Sequence, residues 1–402
     1  MADKVVLAYS GGLDTSVAIK WLQEKHSLDV IAFSVDVGNE PDFPAIREKA
    51  LQLGAVKALV SDARQTFIDE FVFPALKANA VYQGQYPLAT ALGRPLMARL
   101  MVEAAKAEGA KAVAHGCTGK GNDQVRFDVS LASLAPDLKI IAPARSWKMT
   151  RDETIDYAQC HGIPIPITAA SPYSLDQNLW GRSIECGVLE DPWVEPPDDA
   201  FIWAEPLAKT PDTPECLEIS FKEGVPVAVD GQKMDGITFI QQVNELAGKH
   251  GVGRIDHIED RVVGIKSREV YEAPAAVVLL RAHQALEAMT LSRKQLHFKQ
   301  MVSAEYADLI YDGLWFTGFR ENLAAYVDSS QRFVTGDVRI KLFKGNCSVV
   351  GRKSPYSLYR HDLATYDKGD VFDQSDAVGF INLWGLPART QTRAQGKEAK
   401  QE

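Results

Sequence analysis

Residues 8–16 combine two adjacent glycines with hydroxyl side chains and a single carboxylate, a composition that suits phosphate binding. The segment reads Ala-Tyr-Ser-Gly-Gly-Leu-Asp-Thr-Ser. Glycine lets the backbone approach a ligand closely, hydroxyls donate hydrogen bonds, and the N–H groups at the start of a helix attract anions. The Gly-Lys-Ser/Thr ending of the Walker loop is absent. The pattern predicts a phosphate-binding loop of another class of nucleotide enzyme, with an ordinary capped turn as the structural alternative.

A second polar segment covers residues 115–127 and follows an apolar run. It reads His-Gly-Cys-Thr-Gly-Lys-Gly-Asn-Asp-Gln-Val-Arg-Phe. Its three glycines are interleaved with side chains able to hold carboxylates and phosphates, although a solvated turn would have a similar composition. The sequence marks this segment as a second candidate binding loop.

Both segments lie where strands are predicted to end. Apolar runs predict strands at residues 4–8, 30–35, 55–60, 111–115 and 139–142, and helical spacing predicts helices such as residues 45–53 and 94–108. Repeated β-α-β units are typical of a doubly wound parallel sheet in an α/β domain. Because ligands of such sheets gather outside the carboxyl ends of the strands, residues 10–16, 35–38 and 115–123 are expected to form one crevice.

The pattern changes beyond Gly162. Proline-rich residues 163–214 predict a linker or an extended excursion over the surface. The later residues predict an α+β domain, with strands at 216–221, 225–229 and 261–266, helices at 236–250, 274–291 and 294–311, and a hairpin at 339–350. Arg293, Lys294 and Lys299 are expected on a solvated helix face. We therefore predict a nucleotide-binding α/β domain at residues 1–168, an α+β domain at 169–385, and a polar tail at 386–402 that is either frayed or an arm for oligomerisation.

The composition argues against several classes of protein. The 402 residues are 46% hydrophobic, and a formal net charge of -9 argues against nucleic acid as the main partner. Five cysteines without a Cys-x-x-Cys pair predict neither a disulfide framework nor a zinc cluster. Because no run of 18 apolar residues occurs, a membrane span is not expected. We predict a soluble cytoplasmic protein with no nucleic-acid or membrane partner.

The first segment resembles the loop of the pyrophosphate-motif ATP enzymes, which grips the β- and γ-phosphates of ATP. Together with residues 115–127 and the segment Lys-His-Gly-Val-Gly-Arg-Ile-Asp at residues 249–256, it is similar to argininosuccinate synthase over nearly the whole chain. This resemblance implies the ligation of citrulline and aspartate to argininosuccinate in arginine biosynthesis. ATP would be converted to AMP and pyrophosphate through a citrullyl-adenylate. The resemblance also implies Mg²⁺ with the ATP, and a homotetramer.

The same resemblance assigns residues to each substrate. The positions matched to ATP are Ala8, Tyr9, Ser10, Gly11, Gly12, Leu13, Asp14, Thr15, Ser16, Val35 and Gly116. Those matched to aspartate are Thr118, Asn122 and Asp123. Those matched to citrulline are Tyr86, Ala91, Asn122, Arg126, Ser174, Ser183, Glu259 and Tyr271. Catalytic roles fall to Asp14 and Asp123, and no residue is assigned as a metal ligand. Arg126 and Glu259 have charges that suit the carboxylate and ammonium ends of an amino acid.

Two positions depart from the family pattern. Ala91 stands where many relatives have a serine thought to touch citrulline, so one hydrogen bond to the substrate is expected to be absent. Cys117 occupies a position that is usually small. We expect it to be a packed side chain rather than a reactive thiol, and its neighbour His115 to be strand-end structure.

Other interpretations stay open. Val35 could be a core strand residue, Tyr86 and Tyr271 half-buried core aromatics, and Arg126 and Glu259 surface ion-pair partners. The chain could also be another pyrophosphate-motif adenylating enzyme acting on a different amide or ureido substrate, or a regulatory protein that binds a nucleotide without turnover. A tRNA thiolase is expected to have a catalytic cysteine pair and a basic RNA-binding face, and this sequence has neither. An amidotransferase-coupled synthetase would need a glutaminase domain or an N-terminal cysteine.

Overall fold

A computed structural model describes residues 2–39, 42–147, 149–164 and 173–396. The chain forms two compact units, Met1–Tyr356 and Ser357–Glu402. The first unit contains the parallel sheet and both antiparallel sheets, and the second is a short helical segment. Of the helices in these described ranges, none is long and apolar enough to cross a membrane.

The N-terminal part of the first unit alternates strands and helices. Its strands are β1 (Lys4–Ala8), β2 (Asp29–Asp36), β3 (Lys57–Asp62), β4 (Ala112–Ala114) and β5 (Lys139–Ile141). Its helices are α1 (Leu13–His26), α2 (Phe43–Gln52), α3 (Arg64–Phe67), α4 (Phe73–Ala78), α5 (Ala89–Glu108), α6 (Asn122–Leu134), α7 (Pro143–Ser146) and α8 (Arg151–Cys160). A π-helical segment, Ile68–Val72, joins α3 to α4.

The five strands form one parallel sheet in the order β3-β2-β1-β4-β5, which confirms the predicted doubly wound α/β fold. Val5, Val6 and Leu7 of β1 are fully buried because helices cover both faces of the central strand. The chain continues from β1 to β2 on one side, and β4 lies on the other side. The loop after β1 therefore lies where the strand order reverses, which is where such sheets bind ligands.

The C-terminal part of the first unit is an α+β domain, as predicted. Its strands are β6 (Ser174–Asn178), β7 (Gly181–Glu185), β8 (Glu215–Lys222), β9 (Val225–Val229), β10 (Gln232–Lys233), β11 (Arg254–Asp260), β12 (Lys266–Glu272), β13 (Gly336–Phe343) and β14 (Asn346–Lys353). Its helices are α9 (Gly236–Lys249), α10 (Pro274–Thr290), α11 (Arg293–Tyr311) and α12 (Gly318–Gln331). The strands form two antiparallel sheets, β10-β9-β8-β13-β14 and β11-β12-β7-β6.

The strand predicted at residues 261–266 is wrong. Only Lys266 belongs to a strand, and the residues before it form the turn between β11 and β12. The Arg261 N–H donates to the Ile265 carbonyl at 2.8 Å, and the Gly264 N–H donates to the Arg261 carbonyl at 2.8 Å. Gly264 has a positive φ of 86°, which suits glycine. The β-branched residues around this glycine favoured a strand in the sequence pattern, but they form the tip of a hairpin.

The linker predicted at residues 163–214 contains a hairpin that the sequence pattern missed. Strands β6 and β7 are joined by a tight turn in which the Asn178 carboxamide oxygen accepts hydrogen bonds from the N–H groups of Trp180 at 2.9 Å and Gly181 at 3.3 Å. Two short 3-10 helices, Gly187–Glu190 and Asp198–Ala200, follow. Residues 165–172 of this prediction lie outside the described part of the chain.

Lys299 is buried, which contradicts the predicted solvated helix face. Only 2% of its surface is exposed, and its Nζ lies 2.8 Å from the Glu287 carboxylate on α10. Gln331 and Asn79 also donate hydrogen bonds to this carboxylate, at 2.7 and 2.6 Å. The prediction holds for Arg293 and Lys294, which are exposed. Tertiary packing of α10, α11 and α12 therefore encloses an ion pair that helical spacing alone does not reveal.

Up to residue 396, the second unit contains three helices, α13 (His361–Ala364), α14 (Asp376–Trp384) and α15 (Leu386–Gln395). Within this unit the rings of Phe380 and Trp384 stack one helical turn apart, with centroids 5.4 Å apart. Most of the segment predicted as a polar tail is therefore helical. Residues 397–402 of that tail lie outside the described ranges.

Candidate active site

A cavity of about 550 Å³ opens at the carboxyl ends of β1, β2 and β4. The four-stranded antiparallel sheet, β11-β12-β7-β6, supplies residues that line the other side of the cavity. The three segments expected to converge, which follow β1, β2 and β4, all contribute residues to the lining. The candidate site is thus a crevice between the parallel sheet and the four-stranded antiparallel sheet.

Most of the residues predicted to bind substrates line this cavity. They are Ala8, Tyr9, Ser10, Gly12, Leu13, Asp14, Thr15, Val35, Tyr86, Gly116, Thr118, Asn122, Asp123, Arg126, Ser174, Ser183, Glu259 and Tyr271. Their individual roles stay predictions. The structure does bring together residues that are up to about 260 positions apart in the sequence.

Three predicted residues do not line the cavity. The Gly11 carbonyl accepts a hydrogen bond from Lys49 at 2.8 Å. Ser16 is fully buried, and its hydroxyl lies 3.2 Å from that of Tyr9. Ala91 is also fully buried, so the structure does not support the predicted contact of this side chain with citrulline. A methyl group at this position of α5 packs into the core.

The neighbour of Ala91 provides a hydroxyl at the cavity. Thr90 lines the cavity, and its Oγ1 lies 2.7 Å from the Tyr86 hydroxyl. The Ala91 N–H also approaches that hydroxyl, at 3.3 Å. The alanine therefore leaves no unsatisfied group beside Tyr86, because Thr90 already partners the phenol.

The loop after β1 exposes backbone donors at the start of α1. Gly12 caps this helix without a side-chain hydrogen bond, and the first intrahelical bond runs from the Ser16 N–H to the Gly12 carbonyl at 3.0 Å. The N–H groups of Leu13 and Thr15 therefore precede the first hydrogen bond of the helix. Gly116 closes the other side, since a Cβ there would lie 2.9 Å from the Thr15 methyl group. N–H groups at the start of a helix, together with the helix dipole, suit an anion.

Asp123 is held between two arginines. Its Oδ2 accepts from Arg94 at 2.7 Å, and its Oδ1 accepts from Arg126 at 3.0 Å. Burial by itself would raise the pKa of Asp123, but the two guanidinium groups outweigh burial and lower this pKa to about 2. Arg94 also donates to the Asp176 carboxylate on β6. Asp123 is therefore a fixed anion at the N-terminus of α6.

Arg94 was missed by the sequence reasoning, although a signal was present. Thr90, Arg94, Met97 and Met101 all line the cavity and follow one another at helical spacing on α5. A charged residue on an otherwise uncharged face of a helix next to a predicted site is a candidate for that site. From the sequence pattern, this helix was predicted only as a structural element.

Arg126 has one guanidinium nitrogen that is available to a ligand. Its Nε donates to the Tyr311 carbonyl at 2.8 Å, and its guanidinium lies 4.8 Å from the centroid of the Tyr311 ring. Its Nη2 is buried and has no hydrogen-bond partner among the described residues. An unpartnered guanidinium nitrogen at the wall of a cavity is suited to a carboxylate ligand.

Tyr311, at the end of α11, joins several of the predicted residues. Its hydroxyl donates to Glu259 Oε1 at 2.5 Å and accepts a hydrogen bond from Asn122 Nδ2 at 2.8 Å. Tyr271 donates to the other oxygen of Glu259 at 2.7 Å. The ring of Tyr311 stacks on Tyr82 with centroids 3.5 Å apart. No local sequence pattern indicates this role, because the contact with Asn122 spans 189 positions.

The sheet β11-β12-β7-β6 presents one polar face to the cavity. Glu185 pairs with Ser174, and Ser183 pairs with both Asp176 and Tyr271 across neighbouring strands. Directly paired residues share a face, as do residues two apart on one strand. The predicted citrulline residues of β6, β7 and β12 therefore stand on one surface. Asp176 and Glu185 share that surface, and their spacing of two from Ser174 and Ser183 is the signal that could have found them.

Two further carboxylates surround Arg261 at the edge of the cavity. Glu269 is buried and accepts hydrogen bonds from Arg261 at 2.8 Å and from Ser267 at 2.6 Å. Glu185 lies farther from this guanidinium, at 3.7 Å. Partial burial, followed by repulsion from Glu269, raises the pKa of Glu185 to about 7. Glu185 therefore changes charge near neutral pH, whereas Asp123 does not.

Cys117 is a partly buried side chain at the cavity wall. Burial raises the pKa of its thiol to about 12, and the Asp123 carboxylate adds to the effect. The neighbouring His115 is fully buried, and its Nε2 lies 2.7 Å from the Asp128 carboxylate. These contacts agree with the predicted packing role of the thiol and the predicted structural role of the histidine.

Comparisons with known proteins identify the family of the chain. Residues 4–164 match the family model described as the Arginosuccinate synthase N-terminal HUP domain, and residues 173–391 match the Arginosuccinate synthase C-terminal domain. The argininosuccinate synthase of Dehalococcoides mccartyi is 65% identical over 98% of this chain and 97% of its own length. That of Bacillus pumilus is 58% identical over 98% of both chains, and that of Symbiobacterium thermophilum is 56% identical over 98% and 99%. The chain belongs to the argininosuccinate synthase family.

Proposed function

We propose that this cavity ligates citrulline and aspartate to argininosuccinate, with ATP converted to AMP and pyrophosphate through a citrullyl-adenylate. The observation that carries the proposal is the convergence of three groups on one cavity of about 550 Å³. These are the N–H groups at the start of α1, the Asp123 carboxylate with its two arginines, and Glu259 with its two tyrosines.

The first step activates citrulline. A ureido oxygen is a poor leaving group, and bonding it to the α-phosphorus of ATP turns it into part of an AMP leaving group. We assign the β- and γ-phosphates to residues 10–16, most of which line the cavity. The role of the chain is to hold the ureido oxygen and the α-phosphorus in line and to stabilise the charge, since this chemistry needs no protein nucleophile.

Charges in the cavity support a place for each end of citrulline. The unpartnered Nη2 of Arg126 suits the carboxylate of an amino acid. Glu259 is 2% exposed, and its carboxylate accepts hydrogen bonds from the hydroxyls of Tyr271 and Tyr311. The ammonium group of an amino acid would balance the charge of this carboxylate. We assign aspartate to Thr118, Asn122 and Asp123 on the loop that leads into α6.

The charge of the cavity also supports Mg²⁺ as the partner of ATP. Three arginines and six carboxylates line the described part of the wall, which gives a formal excess of three negative charges. A triphosphate adds more negative charge, so a cation is needed. No group of three or more metal-binding side chains occurs among the described residues, and Mg²⁺ in nucleotide sites is held largely by phosphate oxygens and water. The donor set fits, and the bound ion would spread the charge of the departing pyrophosphate.

The expected organisation of the protein follows from the same family. We propose an ATP-binding domain at residues 1–168, a synthetase domain at 169–385 and a tail at 386–402 that joins subunits of a cytoplasmic homotetramer. Light scattering of the purified protein would test the oligomer, with a mass of four chains of 44.2 kDa as the expected result.

The reaction can be tested with purified protein, ATP, Mg²⁺, citrulline and radiolabelled aspartate. We expect AMP, pyrophosphate and labelled argininosuccinate in equal amounts, with net turnover only when both amino acids are present. Arg126→Ala is expected to raise the apparent KM for citrulline, because it removes the free donor and the charge beside it. Formation of ADP and phosphate, or turnover without citrulline, would contradict the proposal.

A further inference from the structure

The second step of the proposed reaction requires a proton acceptor. Aspartate enters with its nitrogen as an ammonium group, and only the unprotonated nitrogen has a lone pair for attack on the activated carbon. A general base must be able to hold a proton near neutral pH and must reach the nitrogen. We propose that Glu185 is the general base that takes this proton. The inference rests on the proposed function and assigns a residue that the sequence patterns did not.

The hydrogen bonds of the cavity single out Glu185 among its carboxylates. Asp123 is bound by two arginines, and Asp176 by one of them. Glu259 accepts from two tyrosines. Glu269 accepts from an arginine and a serine. A carboxylate whose oxygens are already engaged by donors is a weaker acceptor for a substrate proton.

Glu185 differs from these carboxylates in its contacts. Its nearest described cation is Arg261 at 3.7 Å, which is beyond hydrogen-bond distance. About 42% of its side-chain surface is exposed, and the residue lines the cavity. Its carboxylate is therefore accessible to a ligand within the site. Asp14, the remaining carboxylate of the lining, lies in the loop assigned to phosphate.

Glu185 lies between the residues assigned to the two amino-acid substrates. On one side it pairs with Ser174 across β6 and β7, next to the residues assigned to citrulline. On the other side Arg261 connects it to the aspartate loop, since the Arg261 Nη1 lies 3.5 Å from the Lys120 carbonyl. The charge of Asp123 also acts on it. The C–N bond must form where these two surfaces meet.

The charged groups that face Glu185 explain why it can hold a proton. Glu269 on β12, Asp123 on α6 and Asp176 on β6 all disfavour its negative charge, and Arg261 from the β11–β12 turn favours it. Together with burial, the three acids outweigh the arginine and raise the pKa of Glu185 to about 7. Glu185 acts as a base in its deprotonated form, so this step is expected to become faster as the pH rises through 7.

In this step the aspartate nitrogen loses two protons and AMP leaves the citrullyl carbon. The Glu185 carboxylate accepts one proton from the aspartate ammonium group, and the freed lone pair forms the C–N bond to the citrullyl carbon. The C–O bond to AMP then breaks, and its electron pair leaves on the AMP phosphate. The new nitrogen loses its second proton to solvent as the guanidinium group of argininosuccinate forms. Glu185 returns its proton to solvent before the next turnover.

Glu185→Gln separates this role from citrulline activation. Isotope exchange between ATP and pyrophosphate, measured with citrulline but without aspartate, reports the first step alone. Argininosuccinate formation reports both steps. We expect the ratio of ligation rate to exchange rate to fall about 100-fold in the variant, the usual size of a lost general base. The rise of kcat/KM for aspartate through pH 7 should disappear, and Glu185→Asp should restore part of the rate.

The controls keep the possible outcomes distinct. Glu190→Gln changes an exposed glutamate just after β7 that does not line the cavity, and it should leave both rates as in the native protein. An unchanged ratio in Glu185→Gln would overturn the proposal, as would equal losses of exchange and ligation. A loss of ligation seen in Asp176→Asn but not in Glu185→Gln would give the role to Asp176. If the native protein shows no exchange that depends on citrulline, the proposed function fails, and this inference with it.

Discussion

Tyr311→Phe tests whether the second domain organises the citrulline site without touching the substrate. Tyr311 does not line the cavity, but its hydroxyl joins Glu259 to Asn122. The phenylalanine keeps the ring that stacks on Tyr82 and that lies under Arg126. The Arg126 Nε bond is also kept, because it goes to the backbone carbonyl of residue 311. The substitution therefore removes only the hydroxyl.

The size of the effect follows from the charge of Glu259. A hydrogen bond to a charged group contributes about 1.5 to 3 kcal/mol, and each 1.4 kcal/mol is tenfold in an equilibrium constant, so citrulline binding should weaken by about tenfold to 150-fold. Tyr271 still donates to the carboxylate, and Asn122 still accepts from the Val262 N–H at 2.9 Å. These remaining contacts favour the lower half of that range.

Steady-state kinetics would measure the effect. The apparent KM for citrulline should rise while the KM for ATP stays within about twofold, because the hydroxyl is not part of the phosphate loop. Tyr326→Phe is a matched control, since this half-buried tyrosine on α12 packs against Phe298 and does not line the cavity. An unchanged KM for citrulline in Tyr311→Phe, with the melting temperature also unchanged, would refute the reasoning.

Three further predictions concern other parts of the first unit. Asp14→Asn should slow ATP–pyrophosphate exchange by about 100-fold without loss of helicity by circular dichroism, because the residue lines the cavity in the first turn of α1. Lys299→Ala should lower the free energy of unfolding in urea by about 3 to 5 kcal/mol, because it leaves a buried carboxylate without its cation. Lys294→Ala, at an exposed position of the same helix, should change it by less than about 0.5 kcal/mol. Iodoacetamide at pH 8 should alkylate the exposed Cys160 faster than Cys117, as followed by peptide mass spectrometry, because the Cys117 thiol stays protonated.

Each of these predictions has a contrary outcome. Native exchange rates in Asp14→Asn would remove the phosphate loop from the mechanism. Equal unfolding free energies for the two lysine variants would show that the buried ion pair does not stabilise the fold. Alkylation of Cys117 at the rate of Cys160 would mean that its thiol is more exposed and more acidic than its contacts indicate.

The parallel sheet could be predicted because its strands are buried on both faces. Short continuous apolar runs that alternate with segments of helical spacing are typical of buried parallel strands. Residues 4–8 and 30–35 are such runs, and β1 and β2 lie there. Helices α9, α10 and α11 were also found within one or two residues of their ends. Both loops of the candidate site follow such strands, so their convergence was predictable as well.

The antiparallel sheet that faces the cavity could not be predicted in the same way. Its strands have polar residues on the cavity face, for example Ser174 and Asp176 on β6, and therefore show little hydrophobic alternation. The polar residues that suit this face to ligand binding also weaken the hydrophobic pattern by which strands are predicted. Glu185 was missed for this reason, and Tyr311 was missed because its partners are distant in the sequence.

A crystal structure with a non-hydrolysable ATP analogue, Mg²⁺ and citrulline would test the central claim most directly. We predict the β- and γ-phosphates against the N–H groups of residues 10–16, the α-phosphorus facing the ureido oxygen, and the citrulline carboxylate on Arg126 Nη2. A triphosphate bound elsewhere, or a ureido oxygen that points away from the α-phosphorus, would contradict the account.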